Sequence, residues 1–509
     1  MRIHNPIHLE RRLGDTETSY FLPSRASGVN DMYLHLGFSA QPRTLARDRV
    51  ALVWAILRLK HPLLACCVEM HSYNDIRFVL KPHASPEATL YSANENLLYR
   101  QGTTAVSLHL FFSELIDSYL NGPRTLSAER LSCIILSEDH SYASESVIPS
   151  AESDTWFDYD LLLCTTHFIG DGMALHQCAN DFFTLLSSKQ STGELYDFLK
   201  EEWRIRFGNQ YTEISLPKSL EERLPHCSGK FQKVASMVDF ELSQGRLVGG
   251  HSFPRRKGND RRTVVPTVAF DEDRTKKVLK LCKSHDVSIS SALFAICNIA
   301  WLRTRNDDPR LPVMMYSALN MRPYLLQDVL NDSYWFIAIS YFNVVLPGFL
   351  PTTDVERTFW HRARAAKEQS TRASKNRMVI SRSREMAKER GDRAIRWAIE
   401  DDGKMNAKSC VSSPPLAATI IEKPPSTALI GLSLLGNLDG IYKHAAFSQI
   451  KLHSLTTGSR QRAGAMLLFG YTFVGKLWIS LGYDENGFEK GIVETFWNNV
   501  FSSMEELLL

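Results

Sequence analysis

The chain has 509 residues, of which 44% are hydrophobic and 23% charged, as expected for a globular protein with room for two domains. Its formal net charge of +3 is small for this length and gives no reason to expect a nucleic-acid partner. No stretch reaches the roughly 18 uninterrupted apolar residues of a membrane span, and no apolar segment follows the charged N-terminus. We therefore expect no membrane span and no secretory signal.

Hydrophobic periodicity predicts alternating helices and strands along the chain. In the first half, we predict helices at 46–60 and 103–120, strands at 63–70, 76–81 and 131–136, and a strand that leads into a helix at 161–186. In the second half, we predict strands at 264–270, 312–320, 428–435, 465–473 and 476–483, and helices at 272–284, 291–303 and 488–509. The basic, breaker-rich segment 251–264 is the predicted connection between a domain at 1–250 and a domain at 265–509.

Residues 356–398 are predicted to form charged helices with an excess of Arg and Lys. This excess has two explanations. The helices form a solvated pair, or their basic face attracts the phosphates of a ligand.

The stretch 161–186 carries the most informative pattern of the chain. The apolar run from Leu161 to Cys164 indicates a strand that is covered on both faces. His167 follows this strand, two glycines flank Asp171, and apolar residues recur at helical spacing from Met173 onward. The turn between a rigid strand and a rigid helix is a common place for functional side chains.

The pattern H-x-x-x-D occurs twice, and with sixteen histidines roughly one match is expected by chance. The match from His71 to Asp75 lies between two predicted strands, so a hairpin turn explains it better. The match from His167 to Asp171 differs because a buried strand precedes it and an apolar helix follows. Two interpretations of this second match stay open, a functional histidine and a structural histidine at a strand-to-helix turn.

Other kinds of site are poorly supported. Residues 470–476 match most of a phosphate-binding loop, but Leu477 replaces the required Ser or Thr and the glycine falls in a predicted hairpin. There is no G-x-S-x-G motif and no cysteine with a catalytic signature. The nine cysteines are scattered through mostly apolar runs, which favours reduced, buried thiols in a cytosolic protein over disulfides or a metal site.

The order of several motifs resembles the chloramphenicol-acetyltransferase-like superfamily, which includes condensation domains, plant BAHD acyltransferases and fungal trichothecene acetyltransferases. These motifs are HPLLACCVEM, THFIGDGMALH, VSISSALFAI, SALNMRP, SLLGNLDG and LFGYTFVGKLWISLGYDENGF. The resemblance extends from about Ala51 to the C-terminus and is greatest to the fungal terpenoid O-acetyltransferases. The DFGWG motif of the plant branch is absent, so inferences from that branch are limited to the central motif.

The resemblance implies two α/β sandwich domains with an active-site tunnel between them. It also implies that His167 is the general base, which takes the proton of an acceptor hydroxyl as this oxygen attacks an acyl thioester. Asp171 would point away from the substrate and pair with Arg322, and Gly172 would leave room for the thioester. Asn437 or Ser433 would donate a hydrogen bond to the developing oxyanion, unless they are turn or strand-end residues. Trp335 would line the acceptor pocket, with core packing as its alternative.

We therefore expect a monomeric cytoplasmic enzyme that transfers an acyl group, acetyl in particular, to a hydroxyl of a terpenoid-like metabolite. Its partners would be the alcohol acceptor and acetyl-CoA or another acyl-CoA as co-substrate, with no bound cofactor, metal, nucleic acid or membrane. Direct transfer is expected because no activated nucleophile is apparent. Two alternatives are a condensation-type transferase that uses a carrier-bound donor and a non-catalytic relative that only binds ligands.

Overall fold

A computed structural model describes residues 9–101, 108–138, 156–208, 215–226, 229–256, 258, 260–305, 308–328, 331–407 and 426–509. The elements of the first half are Leu9–Arg12 (β1), Asp15–Ser24 (α1), Met32–Ala40 (β2), Arg47–Lys60 (α2), Cys67–Ser72 (β3), Asp75–Leu80 (β4), Pro86–Glu95 (α3), Leu97–Gln101 (β5), Leu108–Asn121 (α4), Ser132–Glu138 (β6), Phe157–Thr165 (β7), Gly172–Leu186 (α5), Thr192–Trp203 (α6), Leu220–Arg223 (α7) and Lys230–Gly245 (α8).

The second half continues with Thr263–Val264 (β8), Thr267–Ala269 (β9), Glu272–Ser284 (α9), Ile289–Thr304 (α10), Val313–Asn320 (β10), Ile339–Leu346 (β11), Val355–Lys375 (α11), Val379–Ala407 (α12), Gly431–Asn437 (β12), Ile450–Ser459 (β13), Met466–Phe473 (β14), Lys476–Asp484 (β15) and Ile492–Leu508 (α13). Short single turns of 3-10 helix connect several of these elements.

The first large sheet has the strand order β13-β2-β7-β6-β5, with β7 at its centre. β7 pairs antiparallel with β2 on one side and with β6 on the other. Its residues Leu161 to Cys164 are almost completely buried, because helices cover one face of the sheet and a second apolar cluster covers the other. The predicted buried strand and the amphipathic helix after it, α5, are both confirmed.

The second large sheet has the order β11-β10-β12-β14-β15-β8, and β9 also pairs with β15. Helices α10 and α13 pack together in the apolar core of this half. Every residue from Ser291 to Leu302 in α10 is buried, and the Ser288 side chain caps the helix by accepting a hydrogen bond from the Ser291 N–H. The helix predicted at 291–303 is therefore confirmed, and it begins two residues earlier, at Ile289.

The two halves exchange elements. β13 belongs to the second half in sequence, yet it pairs antiparallel with β2 at the edge of the first sheet. Helix α12 of the second half packs along α1 of the first. The predicted boundary at 251–264 stays a prediction. A division there assigns β13 and α12 to the second domain, although both pack against elements of the first.

Both sequence motifs that were discounted lie in hairpins. β3 and β4 pair antiparallel, with Ser72 opposite Asp75, so the His71 to Asp75 match is a hairpin turn as predicted. β14 and β15 form a hairpin with Val474 and Gly475 at its tip, and both residues have positive φ, as in a tight two-residue turn. The apparent phosphate-binding loop therefore does not precede a helix.

Among the described residues, no single helix is long and apolar enough to cross a membrane, although the bent pair of α9 and α10 meets the length and composition test together. The seven cysteines in these ranges are free, and Cys227 and Cys410 lie outside them.

Two buried histidines make the stability of the fold sensitive to acid. His61 and His176 each bind a hydroxyl through Nδ1, at 2.9 Å, and burial lowers the pKa of each to about 3. In the unfolded chain these imidazoles titrate near ~6.5. Their contribution to stability is therefore complete above that pH and is lost as the pH falls toward the folded pKa.

We predict that His176→Gln weakens this pH dependence. Because glutamine does not titrate, the slope of unfolding free energy against pH between 6 and 4.5 should fall by up to about 1.4 kcal/mol per pH unit in urea titrations. His71→Gln, at an exposed histidine, is the matched control and should retain the wild-type slope. Equal slopes for His176→Gln and wild type would contradict the prediction.

Candidate active site

A cavity of about 400 Å³ lies between the two halves, and His167 lines it. The first half also contributes Tyr20 from α1, and the second half contributes Tyr341, Arg390 and Ser433 from β11, α12 and β12. This location agrees with the predicted tunnel between two domains.

His167 occupies a single 3-10 turn, His167–Ile169, between β7 and α5. Its Nδ1 lies 3.0 Å from the Gly170 carbonyl oxygen, and because a carbonyl can only accept, the neutral ring carries its proton on Nδ1. Nε2 is then the basic nitrogen. Burial lowers the pKa of His167, backbone hydrogen bonds and Asp171 oppose this shift, and the Arg390 charge adds to it. The imidazole is thus neutral at pH 7 and able to accept a proton.

An aromatic and cationic cluster surrounds the imidazole. The ring of Tyr20 stacks on that of His167 with 4.2 Å between centroids, and the Tyr20 hydroxyl bonds to that of Tyr341. The Arg390 guanidinium lies over both tyrosine rings, 5.5 Å from the Tyr20 centroid and 4.4 Å from the Tyr341 centroid. Sequence reasoning missed these three residues, which come from α1, β11 and α12 and form no local motif.

Asp171 is buried and satisfies three donors at once. Its Oδ1 accepts from the Ala174 N–H at 3.1 Å and so caps α5. Its Oδ2 accepts from Arg322 Nη1 at 2.9 Å and from the Ala338 N–H at 2.8 Å. Arg322 also donates to the Phe336 carbonyl at 3.0 Å. The structure therefore contains the pairing predicted from the sequence, and it joins the His167 turn to the second half of the chain.

The two glycines of the turn are close to other side chains. A Cβ on Gly170 would lie 3.1 Å from Trp335 Nε1, and a Cβ on Gly172 would lie 3.3 Å from Leu435 Cδ2. Clearance for a thioester at Gly172 stays a prediction. Trp335 is fully buried against this turn and does not line the cavity, so its contact with substrate stays a prediction. Its burial in the apolar core favours the alternative, core packing.

The two candidates for the oxyanion donor differ in position. Asn437 is exposed, and its Oδ1 accepts from the Asp439 N–H at 3.1 Å and from Thr472 Oγ1 at 3.2 Å. These bonds stabilise the turn after β12, and Asn437 does not line the cavity. They favour the alternative of a turn residue, and a role as oxyanion donor stays a prediction. Ser433 does line the cavity, and its role as a donor stays a prediction.

No protein-family model and no curated protein sequence matches the chain. Solved structures do match over nearly its full length. The trichothecene 15-O-acetyltransferase from Fusarium sporotrichioides aligns with a TM-score of 0.74 and 14% identity, covering 99% of this chain and 96% of that chain. The chain therefore has the chloramphenicol-acetyltransferase-like fold.

Peptide-synthetase domains have the same fold. The epimerization domain from the third module of tyrocidine synthetase B aligns with a TM-score of 0.59 and 13% identity, covering 99% of this chain and 98% of that chain. The first condensation domain of the CDA synthetase aligns with a TM-score of 0.59 and 9% identity, covering 99% and 97%. The fold class predicted from the sequence is confirmed, and identities this low show the fold alone.

We predict that Asp171→Ala lowers the unfolding free energy in urea by about 3 kcal/mol, because it leaves Arg322 without its counter-ion and α5 without its cap. Asp171→Asn should cost less, since its carbonyl oxygen can still cap the helix. Asp197→Ala, which breaks an exposed ion pair with Lys200, is the control and should stay within about 0.5 kcal/mol of wild type. A loss at Asp171 no larger than that of the control would contradict an anchoring role.

Proposed function

We propose that the chain is a monomeric cytoplasmic acyltransferase that moves an acyl group, acetyl in particular, from acyl-CoA to a hydroxyl of a small terpenoid-like metabolite. The observation that carries the proposal is the neutral imidazole of His167, with Nε2 as its basic nitrogen, in a cavity between the two halves. The similarity in fold to a trichothecene 15-O-acetyltransferase supports the choice of an alcohol acceptor and an acetyl donor.

In the proposed reaction, Nε2 of His167 takes the hydroxyl proton while the acceptor oxygen attacks the thioester carbonyl. The tetrahedral intermediate collapses as the carbon–sulfur bond breaks, and the imidazolium returns the proton to the leaving thiolate. The hydrogen bond from Nδ1 to Gly170 stabilises the imidazolium and keeps the ring in one tautomer. Asp171 contributes to this indirectly, because it anchors the turn that carries His167.

A second candidate is a condensation-type transferase whose donor arrives on a carrier protein, which the similarity to condensation domains supports. Rates with free acyl-CoA and with a carrier-bound acyl group distinguish the two functions. The remaining alternative, a protein that only binds ligands, predicts no coenzyme A release with any alcohol.

We predict that His167→Ala lowers turnover of acetyl-CoA with a terpenoid alcohol by about 10² to 10⁴-fold, because the general base is lost. Thiol release and mass spectrometry of the ester product measure this. The control is His71→Ala, which alters the exposed histidine of the other H-x-x-x-D match and should leave turnover unchanged. Wild-type turnover in a folded His167→Ala variant would exclude the proposed mechanism.

The pH dependence of kcat/KM should report the same group. Because His167 must be unprotonated and its pKa is lowered by burial, kcat/KM should rise with pH, with a midpoint below ~6.5, and stay level above it. Arg390→Gln removes a nearby positive charge and should move the midpoint upward. A wild-type midpoint above 6.5, or a downward shift in the variant, would contradict this assignment.

A further inference from the structure

One face of α12 forms a wall of the cavity. Arg390, Arg393, Ala394 and Trp397 all line it, at the three- and four-residue spacing that places side chains on one side of a helix. At 1.5 Å per residue, Arg390 and Trp397 are about 10 Å apart along the helix axis. The face thus extends from the cluster around His167 toward Trp397, whose side chain is 42% exposed.

The charge of this wall is not balanced within the cavity. Three arginines line the cavity, Arg390 and Arg393 on α12 and Arg462 after β13. None of the described residues that line the cavity is an Asp or a Glu. Arg393 pairs with Glu389, which lies outside the cavity, at 3.3 Å. Both side chains are exposed, and an exposed ion pair contributes little to stability. Arg462 makes no ion pair within the described part of the chain.

Mutual repulsion accompanies this clustering. Burial lowers the pKa of Arg393, Glu389 opposes the shift, and three neighbouring arginines lower it further. An anion bound among these side chains would relieve the repulsion, and guanidinium groups match phosphate oxygens in geometry.

Two of these cations lie near the ring of Trp397. The guanidinium of Arg393 is 5.6 Å from its ring centroid, and that of Arg462 is 5.0 Å away. A large, partly exposed indole beside two arginines offers a stacking surface for an aromatic base next to binding groups for phosphates. Neither feature is needed to bind an acetyl group or an apolar alcohol.

We propose that Arg393, Trp397 and Arg462 bind the nucleotide end of the acyl donor, with the arginines on its phosphates and Trp397 against its adenine. This inference rests on the proposed function and specifies its donor. The rest of the α12 face then guides the pantetheine arm toward His167. A carrier-bound donor has one phosphate in common with acyl-CoA but lacks the nucleotide, so Trp397 would have no base to stack on.

Three donors separate these contributions in the full-length protein. They are acetyl-CoA, S-acetyl-4′-phosphopantetheine with one phosphate, and S-acetylpantetheine with none. Arg462→Gln and Arg393→Gln should each raise KM for acetyl-CoA about fivefold, and Trp397→Ala about tenfold, with kcat little changed. KM for S-acetylpantetheine should be unaffected by all three substitutions. Added salt should raise KM most for acetyl-CoA, less for S-acetyl-4′-phosphopantetheine and not for S-acetylpantetheine, which has no phosphate.

Arg396→Gln is the matched control, because Arg396 is exposed on the same helix and does not line the cavity. Its KM for acetyl-CoA should change less than twofold. Equal increases for all three donors would overturn the proposal, as would no increase. If the full Trp397→Ala effect appears with phosphopantetheine, the assignment to a nucleotide is wrong.

Calorimetric titration with coenzyme A tests binding without turnover. If wild type binds coenzyme A and the Arg and Trp variants bind it more weakly, the site is supported even where no acceptor is acetylated, and only the proposed reaction fails. Absence of binding to wild type would overturn the site itself.

Discussion

The carboxylate of Asp171 is the contact on which the geometry of the candidate site depends. A buried charge is costly unless it is paired and hydrogen-bonded, and this one binds a helix N-terminus, a guanidinium and a backbone N–H of the opposite half. These partners come from α5, the turn after β10 and the residue before β11. Because His167 precedes Asp171 by one turn, the orientation of the imidazole relative to the second half follows from this single ionised group.

The sequence predicted those elements whose buried positions follow a local pattern of apolar residues. β7 and α10 are buried on all sides, and α5 buries one stripe, so apolar spacing identified all three. α1 escaped prediction because its buried positions include polar residues such as Glu17, which Arg11 neutralises through a two-pronged ion pair. The pairing of β13 with β2 could not be predicted either, since it joins strands about 400 residues apart and leaves no local pattern.

The residues of the candidate site likewise fall into two groups, those that local sequence motifs predict and those that only tertiary packing places. His167, Asp171 and Arg322 belong to motifs with characteristic spacing, and the structure brings them together. Asn437 and Trp335 belong to such segments too, but segment position does not determine side-chain direction. Asn437 binds its own turn, and Trp335 fills the space beside Gly170. Tyr20 and Arg390 have no motif, and only the packing of α1 along α12 places them beside the imidazole.

The fold alone does not decide the reaction, because an epimerization domain and an O-acetyltransferase have it in common with this chain. What distinguishes one chain from another is the wall of the cavity. Here Ile339, Leu432 and Leu467 supply apolar surface, whereas the face of α12 supplies positive charge. A ligand that matches both surfaces has an uncharged reactive end and an anionic remote end. Acyl-CoA has this polarity, so if it is the donor, as proposed above, the distribution of charge along the cavity favours one orientation, with the thioester at the end where His167 lies.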